Sequence, residues 1–505
     1  MKKIEVAAIM DILTIMLCFF STTTLLFIAK TIIHRNSKLP PGPSPLPVIG
    51  NLHLLGAKPH ESLAKLAETH GPIMTLRLGQ VTAIVISSAS AAKLVLQKQD
   101  HSFANRSVPD SLRVCDHGKF SVAWMPLSPK WRHLRKICTT YIFSSQKMEA
   151  NVKIMKLKVD ELVADVRKKC SLGEAVLIGE AAFKTSMNLL SRLILSMDLA
   201  DEESETAREF KKSFWDIMEL SGCPNLVDFF PWLGRVDPQR IRSRMEPHSM
   251  RMMSLIDSMI DERVGKRAEQ GSDEEEEDVL DSLLNIMQDT SEELTKNDIN
   301  HLLQDLFVAG TDTAASTLEW AMSEVLRNPE ILKKAKSELE QVTGKGKTIK
   351  DADISLLPYL QAIINETLRL HPATPLLLPR KTMEPVELSG FKIPKGAQVM
   401  VNAWAIGRDP SAWDNPECFE PERFLGLNVS FVGGNFELIP FGGGRRICPG
   451  LPLAVKMLHL MLGSLINCFD WKLEGGLCVE EMDMDDKFGI TLQKTHPLKA
   501  VPLPI

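Results

Sequence analysis

Residues 441–450 read Phe-Gly-Gly-Gly-Arg-Arg-Ile-Cys-Pro-Gly, and the interpretation of the whole chain turns on this decapeptide. It places one cysteine, Cys448, in a loop of four glycines, with Arg445 and Arg446 just before it and an apolar segment, Leu451 to Cys468, after it. Glycine lets a backbone approach a flat group closely and adopt φ > 0. Gly444 and Gly450 stand where a sulfur lying beneath a planar macrocycle would need that room. Backbone N–H groups in such a turn can point at the sulfur and hold it as a thiolate, while Arg446 can reach a carboxylate at the macrocycle edge. Two plainer readings compete. A single cysteine among glycines is often only a small buried hydrophobe. Glycines before a helix can also cradle phosphate, although no Lys-Ser or Lys-Thr pair follows here. The loop reads best as a haem-thiolate site.

Other stretches answer the loop. Ser128-Pro129 predicts a helix start, cap then proline at the first turn, for the segment Lys130 to Ile142. On it Trp131 and Arg135 fall four apart on one face, so an indole N–H and a guanidinium can converge on one anion. An arginine stacked on a surface tryptophan is the ordinary alternative. Farther on, Asn297 or Asp298 can cap a helix that runs to Arg327 and stops at Asn328-Pro329. Within it Ala309-Gly310-Thr311-Asp312-Thr313 sets two small residues before an acid and a hydroxyl. Small side chains would let a flat cofactor approach, the Thr313 hydroxyl can turn from the backbone to hold water, and Asp312 can relay protons. Most buried helix threonines, however, only bond the carbonyl four residues back.

Taken together these stretches resemble the cytochrome P-450 family. The loop matches F-x-x-G-x-R-x-C-x-G at Phe441, Gly444, Arg446, Cys448 and Gly450, and A-G-x-D-T, W-x-x-x-R, E-T-L-R (Glu366, Arg369) and P-E-R-F (Arg423) stand in the family's order. The resemblance implies a mainly α fold with a smaller β-rich region, and haem b held between the long helix and the cysteine loop with its following helix. Cys448 would ligate the iron. Phe441, Arg446, Trp131, Arg135 and Arg380 would bind the cofactor, the last four with its propionates in reach. Asp312 and Thr313 would deliver protons, and Glu366, Arg369 and Arg423 would lock the core. Many plant members carry Thr or Ser after the motif threonine; here it is Ala314. The implied chemistry is monooxygenation: hydrogen is taken from an unactivated C–H bond and hydroxyl returned, with O2 and electrons from an NADPH-dependent reductase. Arg132, Lys136, Arg445 and Lys456 are candidate contacts for an acidic face of that partner. The C-terminal part looks most like plant geraniol 8-hydroxylases and related terpenoid hydroxylases. A diterpenoid substrate, a reductase-independent haem-thiolate isomerase or dehydratase, and a haem sensor remain as alternatives.

Composition sets the bounds. The 59 basic and 64 acidic residues leave a net charge of -5, which argues against a nucleic-acid surface. Nine scattered cysteines with no C-x-x-C pair indicate neither a disulfide framework nor a zinc site. Ile12 to Ala29 is uncharged between Asp11 and Lys30, long enough to cross the endoplasmic reticulum bilayer once. Lys30, Arg35 and Lys38 after it put the following body in the cytosol and residues 1–11 in the lumen. Residues 30–50, with Pro40-Pro41-Gly42-Pro43, form a basic, stiff hinge, and 51–505 form one catalytic domain. Expected pocket segments are apolar: Val114, Val122, Phe307, Val308, Thr374 to Leu378 and Phe488 to Leu492. Leu226 to Leu233 is either core or a loop dipping into lipid, and Asp273 to Asp278 reads as a solvated linker.

Overall fold

The computed structural model describes Thr14 and residues 38–201, 205–270, 278–289, 294–427, 431 and 434–505. The expected membrane span and lumenal segment lie, apart from Thr14, outside the described residues, as does the acidic run 273–277. Its last residue, Asp278, is not a solvated linker residue: its carboxylate caps the helix Val279–Gln288 by accepting the Asp281 N–H at 3.0 Å, and it pairs with Arg263 at 2.8 Å. A capping acid close to a helix start is favoured there by the unpaired N–H groups.

Proline at the first turn opens α1 (Pro59–His70), which stops at Gly71 where φ is 93°. The hairpin follows as β1 (Ile73–Leu78) and β2 (Val81–Ile86), in register from Ile73↔Ile86 to Leu78↔Val81 around Gly79-Gln80. Helix α2 (Pro129–Ile137) is capped by Ser128, whose hydroxyl accepts the Trp131 N–H at 3.0 Å. It is shorter than the expected segment because Cys138–Ile142 widens into one π turn. Then come α3 (Val152–Leu172), α4 (Ile178–Leu195), α5 (Glu205–Gly222), α6 (Ile241–Gln270), α7 (Lys296–Arg327), α8 (Pro358–Leu370) and α9 (Leu451–Cys468). Short strands β3 (Asn105–Arg106), β4 (Arg380–Lys381) and β5 (Gln398–Val401) complete a sheet of order β1-β2-β5-β4-β3, in which only β2 and β5 run parallel.

Helix α7 is the axis of the fold. Its cap is Thr295 rather than Asn297 or Asp298, because Asp298 is the third helical residue and reaches back to the Thr295 N–H at 3.1 Å, closing a capping box. It packs on α4 and α9, and the shared core is leucine and methionine, with Leu303, Met322, Leu460 and Met461 fully enclosed. From Asp298 to Leu326 every residue is buried except Val308, Ala309, Gly310 and Thr313. A gap in the burial of a central helix marks open space inside the molecule. Among the described residues, α9 alone is long and apolar enough to cross a membrane, and it is a core helix.

The lock on α8 is built as its motif suggests. The Arg369 guanidinium donates twice to Glu366, at 2.7 and 2.8 Å, and Arg423 Nε donates to the same carboxylate at 3.0 Å. The remaining Arg369 N–H groups go to the carbonyls of Gly407, Pro416 and Cys418. Both partners are fully buried, so this pair belongs to the class whose rupture strands a charge in the interior.

Candidate active site

A cavity of about 350 Å³ lies between α7 and the loop 441–450. Cys448 is in its wall, and the loop that carries it is closed by a hydrogen bond from the Cys448 N–H to the Phe441 carbonyl at 3.0 Å. Burial pushes the thiol up, while the backbone N–H of Gly450, the charge of Arg135 and the N–H of Leu451 pull the other way. A cation at the sulfur would complete that pull. The loop glycines serve different ends. Gly444 has φ +65°, and a Cβ there would sit 1.9 Å from the Leu96 carbonyl and 2.9 Å from the Asp100 carboxylate, so its lack of a side chain admits the neighbouring chain rather than a macrocycle. Gly450 has an ordinary φ of -80° and faces Phe143 and the sulfur at contact distance.

Four guanidiniums gather at one edge of the cavity: Arg106, Arg135, Arg380 and Arg446 all line it. Arg446 donates to the carbonyls of Ala104, Val122 and Met125 and lies 4.4 Å over the Trp131 ring. Trp131 Nε1 donates to the Val122 carbonyl at 3.0 Å, so its N–H is committed to backbone here. Arg380 pairs with Asp100 at 2.8 Å and donates to the Gly443 carbonyl. The Arg135 guanidinium has no acceptor among the described residues. Burial lowers the proton affinity of all four, Arg446 to about 9, and repulsion by neighbouring guanidiniums adds to it for Arg106 and Arg446. Among the described residues Asp100 is the one carboxylate set against them, and it also holds Arg445 at 2.9 Å. Such a cluster is short of negative charge.

Across the cavity stand Val308, Ala309, Gly310 and Thr313. Gly310 owes its place to packing, since a Cβ would lie 2.7 Å from Leu190 on α4; the open face belongs to Ala309. Thr313 Oγ1 donates to the Ala309 carbonyl at 2.8 Å. Asp312 does not line the cavity; its carboxylate accepts from Gln493 at 2.9 Å, and burial raises its pKa. Ala314 lines the cavity beside Thr313. Phe441 lines it too, its ring edge-on to Phe431. Of the expected pocket segments, Val114, Val122, Val308, Thr374, Leu377, Leu378, Ile490 and Thr491 line the space. Phe307 faces Phe210 in the core, and Phe488, partly buried, stacks on His60, so neither lines the space.

Sequence reading missed Arg106 and the polar tie of the roof. Arg106 has no helical spacing to reveal it; it reaches the site because β3 pairs Arg106 with Arg380. The loop before α2 is tied to α7 by Ser121, which donates to Asp305 at 2.8 Å, and by His117, whose Nε2 is 3.2 Å from the same carboxylate. Of the candidate docking cations, Arg132 and Lys136 are exposed, Arg445 is half-exposed and held by Asp100, and Lys456 is paired with Asp351 at 2.8 Å.

The sequence model of the cytochrome P450 family matches residues 40–499. Geraniol 8-hydroxylase of Catharanthus roseus is 55% identical over 98% of this chain and 99% of its own length, and that of Swertia mussotii is 53% identical over the same shares. Drimenol monooxygenase of Persicaria hydropiper is 51% identical over 98% of each chain. A solved zebra fish cytochrome P450 with abiraterone superposes with a TM-score of 0.73 at 24% identity, covering 88% of this chain and 100% of that one, which shows the fold.

Proposed function

Because this chain belongs to the cytochrome P450 family and is a haem-dependent monooxygenase, we propose that it hydroxylates a terpenoid, foremost a monoterpenol such as geraniol. The observation that carries the reading is the gap in the burial of α7, with Ala309 and Thr313 facing the Cys448 sulfur across an enclosed apolar cavity. The donor set fits haem: one thiol in the wall, held toward the thiolate by two backbone N–H groups, and at one edge a cluster of four guanidiniums with one neighbouring carboxylate among the described residues. Bound there, haem with a thiolate ligand supplies the activation of O2 and the insertion of oxygen into a C–H bond.

The protein's part is positioning. Arg106, Arg135, Arg380 and Arg446 would hold the cofactor's carboxylates, with Trp131 stacked beneath Arg446 to fix its plane. Thr313 keeps its hydroxyl on the helix carbonyl in the resting arrangement and would turn it into the cavity to hold a water. Asp312, kept protonated more readily by burial, is a proton reserve behind the helix that must rotate from Gln493 to serve. The apolar wall excludes bulk water and holds a hydrocarbon chain with few polar contacts.

Electrons would come from a membrane-bound NADPH-dependent reductase docking at the exposed Arg132 and Lys136. The body would lie on the cytosolic face of the endoplasmic reticulum. Val48 and Ile49 on the hinge and Leu226, Trp232 and Val236 on the opposite loop are all exposed, Val48 by 77% and Trp232 by 63%. The β1–β2 turn joins the two segments: the Gly79 N–H donates to the Ile49 carbonyl and the Gln80 N–H to that of Phe229. An apolar patch spread over these two adjacent segments suits a lipid surface.

Microsomes holding this protein and a reductase, given a panel of mono-, sesqui- and diterpenoids, test the reading. Hydroxylated geraniol formed only with NADPH and O2 is expected. Product that persists without reductase, or no terpenoid product at all, would contradict it.

A further inference from the structure

The cavity carries a second polar feature that the oxygen chemistry leaves unused. Gln304 on α7 lines it, is only 9% exposed, and sits nine residues before Thr313, about 13.5 Å along the helix axis. Val308 and Ala309 continue the wall between them.

The orientation of the Gln304 amide is fixed by a chain of hydrogen bonds. Asn300 Nδ2 donates to the Met253 carbonyl at 2.9 Å and to the Asp257 carboxylate at 2.8 Å. Both are acceptors, so the NH2 group of Asn300 must face them and its Oδ1 must face Gln304. Gln304 Nε2 then donates to that Oδ1 at 2.8 Å. The consequence is that Gln304 Oε1 is turned the other way, and among the described residues no donor reaches it. That oxygen opens on the cavity, where a ligand or water can supply the donor that the protein does not. Asp305 next to it differs: its carboxylate already accepts from Ser121 and His117.

Resting on the terpenoid reading above, we propose that Gln304 Oε1 accepts the hydroxyl proton of a terpenoid alcohol and holds the head of the chain at the α6 side of the cavity. Carbon far from the hydroxyl is thereby set near Ala309 and Thr313. This makes Gln304 a specificity-determining residue for an O–H donor, and it accounts for oxidation at the end of the chain remote from the alcohol, as the name geraniol 8-hydroxylase states for the similar plant enzymes. A site that reads a hydroxyl discriminates against the analogue lacking the donor, because filling the cavity shuts the Gln304 oxygen off from water and leaves it unpaired.

Spectral titration of the holoenzyme with geraniol, with geranial (the same skeleton with an acceptor and no donor), and with the deoxygenated diene tests this. The wild-type protein should bind geraniol roughly ten-fold more tightly than geranial or the diene. Gln304→Met should bring the three affinities together by weakening geraniol alone, and should spread oxidation to carbons nearer the hydroxyl. Equal affinity of the wild type for alcohol and aldehyde would overturn the proposal without any variant. So would a Gln304→Met protein with an intact reduced-carbonyl band that weakens all three ligands alike, since that is the mark of a structural role. If the wild type binds no terpenoid at all, the substrate reading fails and takes this inference with it; if it oxidises geraniol but ignores the hydroxyl, this inference alone fails.

Discussion

Two buried arginine clusters flank the core, and they are balanced in opposite ways. Around α8, Arg369 and Arg423 converge on the Glu366 carboxylate, and the spare N–H groups of Arg369 are taken by backbone carbonyls. At the cavity edge Arg106, Arg135, Arg380 and Arg446 have, among the described residues, one neighbouring carboxylate, Asp100; burial weakens the hold of all four on their protons, and neighbouring guanidiniums weaken that of Arg106 and Arg446 further. The first cluster is complete as a piece of protein. The second is short of negative charge among the described residues, and that difference is what distinguishes a structural lock from a proposed anion site even though both are arginine-rich.

Breaking the closed cluster should have the largest effect. Glu366→Gln leaves Arg369 and Arg423 facing a neutral amide in the interior, and a loss of about 3–5 kcal/mol is expected, read as failure to accumulate folded protein or as a large fall in denaturation midpoint with and without haem. A stable variant would show that the two clusters are not different in kind. Removing a charge from the open cluster should act on the cofactor instead. Arg135→Gln is expected to speed haem transfer to an acceptor apoprotein about ten-fold, the worth of one charge-assisted hydrogen bond. The denaturation midpoint of the haem-free protein should barely move, because the Arg135 guanidinium has no acceptor among the described residues. Equal destabilisation of both forms would make Arg135 part of the lock. The smallest effect belongs to the outer rim of α2. Arg132→Glu with Lys136→Glu should raise the reductase concentration for half-maximal turnover several-fold at low salt and less at high salt; no shift would remove that face as the docking surface.

The same contrast explains what was legible in the residues. Elements fixed by local chemistry were: the proline and glycine ends of α1, the Gly79-Gln80 hairpin, the Ser128 cap and the Glu366–Arg369 spacing all follow from neighbours in sequence. The cysteine loop could be read because its spacing is unusual, yet the reason for Gly444 could not, since it lies in Leu96 and Asp100, more than three hundred residues away. Arg106 was invisible for the same reason: it enters through a two-residue strand pairing with β4. Gln304 carries no mark on the helix, and only the hydrogen-bond chain through Asn300 gives its amide a direction. Spacing alone likewise suggested an anion for the Trp131 N–H, which the fold gives to Val122.

The account stands on the Cys448 sulfur being bound to iron as a thiolate. The most direct measurement is the absorption spectrum of the reduced carbon monoxide complex of the purified protein beside Cys448→Ser. The wild-type protein should show the red-shifted band of a thiolate-ligated haem, and the variant should lose that band while still holding some haem through the arginine edge. A variant that kept the band, or a wild-type protein that never showed it, would contradict the assignment.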